Sequence, residues 1–328
     1  MEMKTTAAAI ANRLGLIDSY AFFRRKLTKS QVAILMYHRI SSSKDNWSLK
    51  PLSPQIFEQQ IGYFCRRYKI LSLDELAQYI HQGESLPEKA VVITFDDGYK
   101  DNYLHAFPVL EKYKVPATIF LTTGHIGSGN LFWLDKVRYI IQHTTINRIN
   151  LNELVNYSLE SEADKHRSSF AIANSLNKLP ENNKNLLIEK LLSVSNVDIP
   201  ADLGRELVLS WDEVREMSNN GIIFGAHTVN HPVLTNMPLE QAKWEISQSK
   251  KDIEENLGKR VTAFAYPNGD FNPEIVKFIK ESGFTCAVSV LPGKLLSAKD
   301  SPYELGRIQA FEDFNKFKVA LCGLLGDL

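Results

Sequence analysis

Residues 90–99 read AVVITFDDGY and join a short apolar run to two adjacent acids and a glycine. An unbroken apolar run of this length is typical of a strand buried on both faces, as in a parallel sheet. Barrel enzymes keep their chemistry at the carboxyl ends of parallel strands. The acids directly after the run are therefore candidate site residues, although Asp-Asp-Gly alone is also an ordinary turn sequence.

The same order, a short apolar run and then a helical pattern, repeats along the chain. Further apolar runs lie at 32–37, 117–122, 222–226, 262–266 and 285–290, with helical periodicity at 56–68, 73–82, 103–113, 210–221, 239–258 and 273–283. Such alternation favours parallel strands with helices outside them. The predicted fold class is α/β, as a barrel or near-barrel.

Residues 127–208 interrupt this alternation. They contain helical stretches and polar connections but no convincing buried strand. We interpret the segment as a helical insertion between two barrel strands, either a lid over the site or an excursion without a role in catalysis. Residues 31–328, including the insertion, are predicted to form one main domain, preceded by a basic helical segment at 1–30.

The charge balance and the cysteines exclude some classes of protein. Lys plus Arg equals Asp plus Glu at 38 each, so no basic field attracts nucleic acid phosphates. Cys65, Cys286 and Cys322 include no CxxC pair, which argues against a disulfide framework and against a thiolate zinc site.

Residues 1–30 give an expectation for the cellular location of the protein. Residues 1–20 lack the apolar core of a signal peptide, which makes a cytoplasmic location the default expectation. The basic segment 1–30 has apolar residues that could share one helix face. Such a helix either touches the inner membrane face peripherally or simply docks on the domain.

A second candidate motif, His227-Thr-Val-Asn-His231, follows the apolar run 222–226. Two histidines four residues apart can bind one metal ion across a compact loop, although the pair alone is equally consistent with ordinary surface or core histidines. With Asp97 at the same barrel rim, the pair completes two imidazoles and one carboxylate, which leaves open coordination positions. We predict one divalent ion, with zinc as the first choice and Co, Ni, Fe or Mn as alternatives.

A third stretch, Ala265-Tyr-Pro-Asn-Gly269, also follows an apolar run. A turn that begins at a proline can aim backbone N–H groups into a pocket, where they suit a developing oxyanion. The N–H of Asn268 is the candidate donor.

Together and in this order, TFDDGY, HTVNH and AYPNG resemble the motifs of the polysaccharide deacetylases of carbohydrate esterase family 4. The resemblance covers about residues 32–310 apart from the insertion, and it implies a distorted (β/α)7 barrel. It also implies that Asp96 is the catalytic base and that Asp97, His227 and His231 are the metal ligands. The implied activity is metal-dependent removal of the N-acetyl group from an amino sugar.

Two departures from the family pattern concern the groups around the base. Ala265 stands where the family usually has an Arg that supports the base, and Arg307 is a candidate to supply that charge. No His follows His231, so the late Leu-x-His motif that carries the general acid is missing. His38, in the stretch MYHR, resembles the Tyr-His pair of the exopolysaccharide deacetylases and is the candidate acid; a packed structural histidine is the alternative.

The predicted reaction follows from these assignments. Asp96 takes a proton from the attacking water, the metal and the Asn268 N–H hold the oxyanion, and His38 protonates the departing amine. The predicted substrate is an N-acetylated sugar in a glycan or in a lipid-linked precursor. Two alternatives stay open: a hydrolase of a non-sugar amide on the same fold, and a catalytically inactive glycan-binding barrel.

Overall fold

The computed structural model describes residues 31–42, 50–152, 155–292 and 295–321. The basic segment 1–30 and Cys322 lie outside the described residues. No helix within these ranges is long and apolar enough to cross a lipid bilayer. The strands are β1 Val32–Tyr37, β2 Lys69–Leu71, β3 Ala90–Phe95, β4 Thr118–Leu121, β5 Arg148–Asn152, β6 Val155–Ser158, β7 Ile223–Ala226, β8 Ala263–Ala265, β9 Cys286–Pro292 and β10 Leu305–Gln309.

The α-helices lie between these strands and after the last one. They are α1 Pro54–Arg67, α2 Leu73–Gln82, α3 Phe107–Tyr113, α4 Trp133–His143, α5 Glu162–Leu176, α6 Glu181–Ser195, α7 Leu203–Leu207, α8 Trp211–Asn219, α9 Leu239–Leu257, α10 Pro273–Glu281 and α11 Phe314–Leu321. A π-helical turn, Asn102–Ala106, precedes α3.

Seven parallel strands form a closed barrel. β1, β3, β4, β7, β8, β9 and β10 neighbour one another in chain order, and the ring closes because β1 pairs with both β3 and β10. The short β2 pairs with the beginning of β3 and does not join the ring. The predicted α/β class and the distorted (β/α)7 barrel with its insertion are thus confirmed.

The barrel strands are buried on both faces, and alternate residues belong to two different cores. In β1, Ala33 and Leu35 pack in the outer core with the surrounding helices, whereas Val32 and Ile34 pack in the inner core. This is the two-residue period of a strand. It explains why the strands read as unbroken apolar runs in the sequence.

Helix α2 closes the amino-terminal end of the barrel. Its residues Leu73 and Leu76 belong to the inner core. A capping box, in which Ser72 and Glu75 satisfy each other's backbone N–H groups, fixes the start of the helix. With this end filled by apolar side chains, the opposite end of the barrel is the one available for chemistry.

The insertion lies between β4 and β7, as predicted, and carries α4 to α7. The sequence showed no convincing buried strand in it, but β5 and β6 pair there as an antiparallel hairpin. Ile149 and Leu151 are buried while Asn150 between them is polar and exposed, which is the pattern of a strand with one buried face rather than two. The insertion has a core of its own, built on residues such as Val137, Ile140 and Leu191.

A substitution at Gly225 in β7 would test how densely the inner core is packed. A Cβ at this position would lie 2.5 Å from the Phe120 ring and 2.9 Å from the Ala263 carbonyl oxygen. We expect Gly225→Ala to lower the free energy of unfolding by about 1–3 kcal/mol, because overpacking a dense core forces its neighbours to shift. Urea unfolding measures the change, with the exposed helix residue Ser247→Ala as the control. A change in Gly225→Ala no larger than that of the control would contradict this packing.

Candidate metal centre and active site

Four of the predicted site residues continue the inward face of a barrel strand. Asp96 directly follows β3 and lies two residues after Thr94, on the inward-facing side of the strand. His38 and His227 directly follow β1 and β7 on the same side, and Arg307 lies within β10, two residues after the inner-core Leu305. Because the strands are parallel, these positions meet at one rim of the barrel. The closed ring therefore collects residues that lie far apart in the sequence.

Asp97, His227 and His231 offer three ligand atoms around one point. The Asp97 Oδ1 lies 3.6 Å from His227 Nε2 and 3.5 Å from His231 Nε2, and all three ligand atoms lie within 4.8 Å of one another. This Oδ1 is buried and has no hydrogen-bond partner among the described residues. Two imidazole nitrogens and one carboxylate oxygen with this spacing fit a divalent cation.

Electrostatics support the same assignment. Burial lowers the pKa values of His227 and His231, which favours the neutral imidazoles that bind metal ions. Burial, followed by the charges of Asp96 and Asp135, raises the pKa of Asp97 well above its usual value. A divalent cation among these three ligands would offset the cost of the buried carboxylate.

The His227 ring is oriented by the strand next to it. Its Nδ1 lies 2.7 Å from the backbone oxygen of Ala265. An N–H at Nδ1 that donates to this oxygen leaves the lone pair of Nε2 directed at the metal position. The residue that stands in place of the family's usual Arg thus contributes its backbone to the metal centre.

The two metal-binding loops carry unusual backbone conformations. Asp97, Thr228 and His231 have φ values of 73°, 66° and 57°, in the left-handed region that side chains with a Cβ rarely adopt. The turn at Asp97 sends its side chain away from the direction of Asp96, so consecutive acids face different parts of the site. Such conformations persist only where surrounding contacts enforce them.

Glu245 on α9 supplies part of that enforcement. Its carboxylate accepts hydrogen bonds from the backbone N–H groups of Val229 at 2.8 Å and Asn230 at 2.9 Å, and from the Asn230 side chain at 2.8 Å. The His231 N–H donates to Thr228 Oγ1 at 3.0 Å. Sequence reasoning missed Glu245, because a single acid in a charged helix carries no local signal.

Arg307 forms a buried bidentate ion pair with Asp96. Its Nη1 and Nη2 atoms each lie 2.6 Å from a carboxylate oxygen, and Nη1 also donates to Thr94 Oγ1 at 3.2 Å. Burial opposes the charge on Asp96, but Arg307 outweighs it and holds the pKa of that carboxyl below its usual range. The predicted base is therefore ionised at neutral pH.

His38 lies beside the same carboxylate. Its Nε2 is 4.0 Å from Asp96 Oδ2, and a quarter of its side chain is exposed. The imidazole is thus reachable from the rim, unlike a packed structural histidine. Desolvation lowers the pKa of His38 to about 4, against the opposing effect of Asp96.

Two residues just after the DDGY stretch hold the segment that carries His38. The Asp101 carboxylate accepts from Arg39 Nε at 2.8 Å and from the Ile40 N–H at 3.0 Å. The Asn102 Nδ2 donates to the backbone oxygen of His38 at 2.7 Å. This clamp links the loop of the base to the end of β1. Sequence reasoning missed both residues, because they act through contacts with a segment far away in the sequence.

The insertion also contacts the metal-binding loops. Tyr99 donates its hydroxyl to Asp135 Oδ2 at 2.8 Å. The Phe132 ring lies edge-on to the His231 ring, with centroids 6.2 Å apart. These contacts show that the first helix of the insertion and the residue before it form one wall of the candidate site.

Asn268 is the exposed residue of the turn after β8, between the buried Pro267 and Gly269, and has a left-handed φ of 56°. Its side-chain amide donates to Asn177 Oδ1 of the insertion at 3.1 Å. The turn is thus tied to the insertion. The role of its backbone N–H as an oxyanion donor stays a prediction.

The contacts of Glu245 predict an effect on metal affinity. Glu245→Ala should weaken zinc binding by about 10–100-fold, the usual cost of losing a residue that orients a ligand loop. Competition with a coloured chelator measures the affinity, with the exposed Glu240→Ala on the same helix as the control. Unchanged zinc affinity in a folded Glu245→Ala protein would show that the loop keeps its shape without this carboxylate.

Comparisons with known proteins agree with this geometry. The family model described as polysaccharide deacetylase matches residues 83–287. The chain is 27% identical over 305 residues to the poly-beta-1,6-N-acetyl-D-glucosamine N-deacetylase of Staphylococcus aureus (strain MSSA476), covering 88% of this chain and 81% of that protein.

Two solved structures share the fold. The Streptococcus pyogenes deacetylase PplD, in complex with acetate, aligns with a TM-score of 0.59 and 21% identity over 88% of this chain and 97% of that one. IcaB from Ammonifex degensii aligns with a TM-score of 0.59 and 20% identity over 90% and 98%. With its barrel, its Asp-His-His triad and a family match over more than half its length, the chain belongs to the polysaccharide deacetylase family.

Proposed function

We propose that this protein hydrolyses the N-acetyl amide of an amino sugar within a glycan, with zinc as the resident ion. The observation that carries the proposal is the triad of buried Asp97, buried His227 and partly exposed His231, directly beside the ion-paired Asp96. The N-deacetylase activity in the name of the Staphylococcus aureus relative supports the choice of an amino sugar.

An amide carbonyl is a poor electrophile, and its amine is a poor leaving group. A divalent ion held by the triad supplies Lewis acidity, which polarises the carbonyl and acidifies water. Asp96, ionised by Arg307, accepts the proton of the attacking water. Its neighbour Asp97 faces the histidines, so the two acids divide the roles of base and ligand.

His38 is proposed as the group that protonates the departing amine. A low pKa makes an imidazolium a ready proton donor, but it also means that His38 is neutral in the resting protein. The proton must then arrive during the reaction, and Asp96, whose Oδ2 lies 4.0 Å from His38 Nε2, can pass on the proton that it has taken from the attacking water. In this proposal Asp96 takes a proton from the water and passes it to His38, which donates it to the departing amine.

The alternative of an inactive glycan-binding barrel is disfavoured by the site itself. It was prompted by Ala265 and by the missing late His. Arg307 contacts Asp96 and supplies the positive charge that Ala265 lacks. The imidazole of His38 lies beside the same carboxylate. A buried charge pair beside a buried carboxylate ligand, Asp97, is costly to keep without a function. Location in the cytoplasm, a lipid-linked substrate and membrane contact through residues 1–30 stay predictions.

Acetate release tests the proposed reaction. The purified protein loaded with zinc should release acetate from β-1,6-linked N-acetylglucosamine oligomers, and a chelator should abolish the release because the triad is emptied. Asp96→Asn should lower turnover by about 10²–10⁴-fold, the usual contribution of a general base. The exposed Asp212→Asn serves as the control. Absence of acetate release from every glycan offered would refute the assignment.

His38 has a separate test. We expect His38→Ala to lower turnover by at least ~10²-fold while zinc content stays the same, because the residue donates a proton and binds no metal. Metal analysis and acetate release are measured on the same preparation. His81→Ala is the matched control, since His81 lies on α2 at the opposite end of the barrel, 2.7 Å from the Thr285 carbonyl oxygen. Normal turnover in His38→Ala would remove His38 from the mechanism.

A further inference from the structure

The two ends of the insertion come together at the turn formed by residues 96–99. Gly127, the first residue of the insertion, donates its N–H to the backbone oxygen of Leu209 at 2.9 Å. Leu209, directly after the insertion, donates its own N–H to the backbone oxygen of Gly98 at 3.0 Å. The segment that closes the insertion is therefore hydrogen-bonded to the turn that carries the acidic pair.

This turn needs contacts that hold its shape. Asp97 and Gly98 are consecutive residues with left-handed φ values of 73° and 80°, and a residue with a Cβ keeps such a conformation only where its surroundings enforce it. On the barrel side the turn is packed tightly, because a Cβ at Gly98 would lie 2.8 Å from Leu121 Cδ2. The insertion supplies contacts on another side.

The side chain of Tyr99 links the turn to the first helix of the insertion. Its hydroxyl donates to Asp135 Oδ2 at 2.8 Å, and the two residues are only 4% and 1% exposed. The Tyr99 ring packs on Phe132, with centroids 5.3 Å apart, and its backbone forms an antiparallel bridge with Val208. A hydrogen bond to a carboxylate is strong, and burial strengthens it further. Tyr99 is thus held by residues from both ends of the insertion.

Asp135 also brings a second buried carboxylate close to the metal ligand. Burial, followed by the charges of Asp96 and Asp135, raises the pKa of Asp97. Asp96 is already neutralised by its bidentate pair with Arg307. A divalent ion bound by Asp97 would attract the Asp135 carboxylate, and this attraction would offset the repulsion between the two acids.

We propose that Asp135 is a positioning residue of the metal centre: through Tyr99 it holds the turn that carries Asp97, and its charge favours a divalent ion in the triad. The inference rests on the proposed function for the resident zinc ion, and it deepens that function by giving the insertion a role in metal binding. The insertion is then part of the metal centre and not an excursion from the barrel.

Tyr99→Phe tests the hydrogen bond, because it removes the hydroxyl and keeps the ring. Zinc affinity, measured by competition with a coloured chelator in the absence of any glycan, should fall by at least ~10-fold. Tyr103→Phe is the matched control, since it also removes a hydrogen bond from a tyrosine to a carboxylate, the exposed one to Glu216 at 2.9 Å. This control should keep the native zinc affinity.

Asp135→Asn tests the charge, because the amide oxygen can still accept the hydrogen bond from Tyr99. Zinc affinity should again fall by at least ~10-fold. The control is Asp198→Asn, which removes an exposed acid of the same insertion. A purely structural role of Asp135 would instead lower the urea midpoint of the zinc-free protein and leave the zinc affinity unchanged.

Hydrogen exchange gives a second readout that does not depend on activity. Because coupling between two sites is reciprocal, zinc should slow amide exchange in α4 of the native protein, and it should do so less in Tyr99→Phe. Native zinc affinity in either folded variant, Tyr99→Phe or Asp135→Asn, would overturn the proposal. The expected losses of zinc affinity in a protein that releases no acetate from any glycan would support it and count only against the proposed reaction.

Discussion

The buried ion pair between Arg307 and Asp96 is the interaction on which the candidate site depends. Two charges taken out of water are tolerated only if their geometry is close to ideal, and removing one partner leaves an uncompensated charge that typically costs about 3–5 kcal/mol. The pair exists because β1 closes the ring between β3 and β10. Closure of the barrel is thus what places Arg307 beside Asp96 and keeps the base ionised.

The metal centre depends on the same strand end through the adjacent acid. Asp96 keeps the inward direction of β3, while the left-handed backbone of Asp97 turns the next carboxylate toward the two histidines. A base and a ligand in consecutive positions require this reversal. The histidine loop is left-handed at Thr228 and His231 as well, and there the cost of the unusual backbone is offset by contacts from outside the loop, above all the Glu245 hydrogen bonds.

The sequence predicted the secondary structure best where a whole segment lies in one kind of environment, such as a strand buried on both faces. The limits of β1 and β3 were predicted to the residue, because strands buried on both faces are unbroken apolar runs. The same criterion missed the polar hairpin strands β5 and β6. The triad was accessible because its motifs are local, whereas Glu245, Asp101 and Asn102 act through contacts between distant segments.

The two departures from the family pattern can be understood as one rearrangement. The charge that supports the base and the candidate acid both lie on the strands that close the ring, β10 and β1, on either side of the closing pairing. On a circular rim, several strands end close to the base. The supporting group must therefore reach Asp96, but it can be carried by more than one strand. Arg307 ionises Asp96 and also disfavours charge on His38. The base and the acid are therefore tuned by the same guanidinium, so a change on β10 would alter both, whereas a change on β8 would reach neither directly.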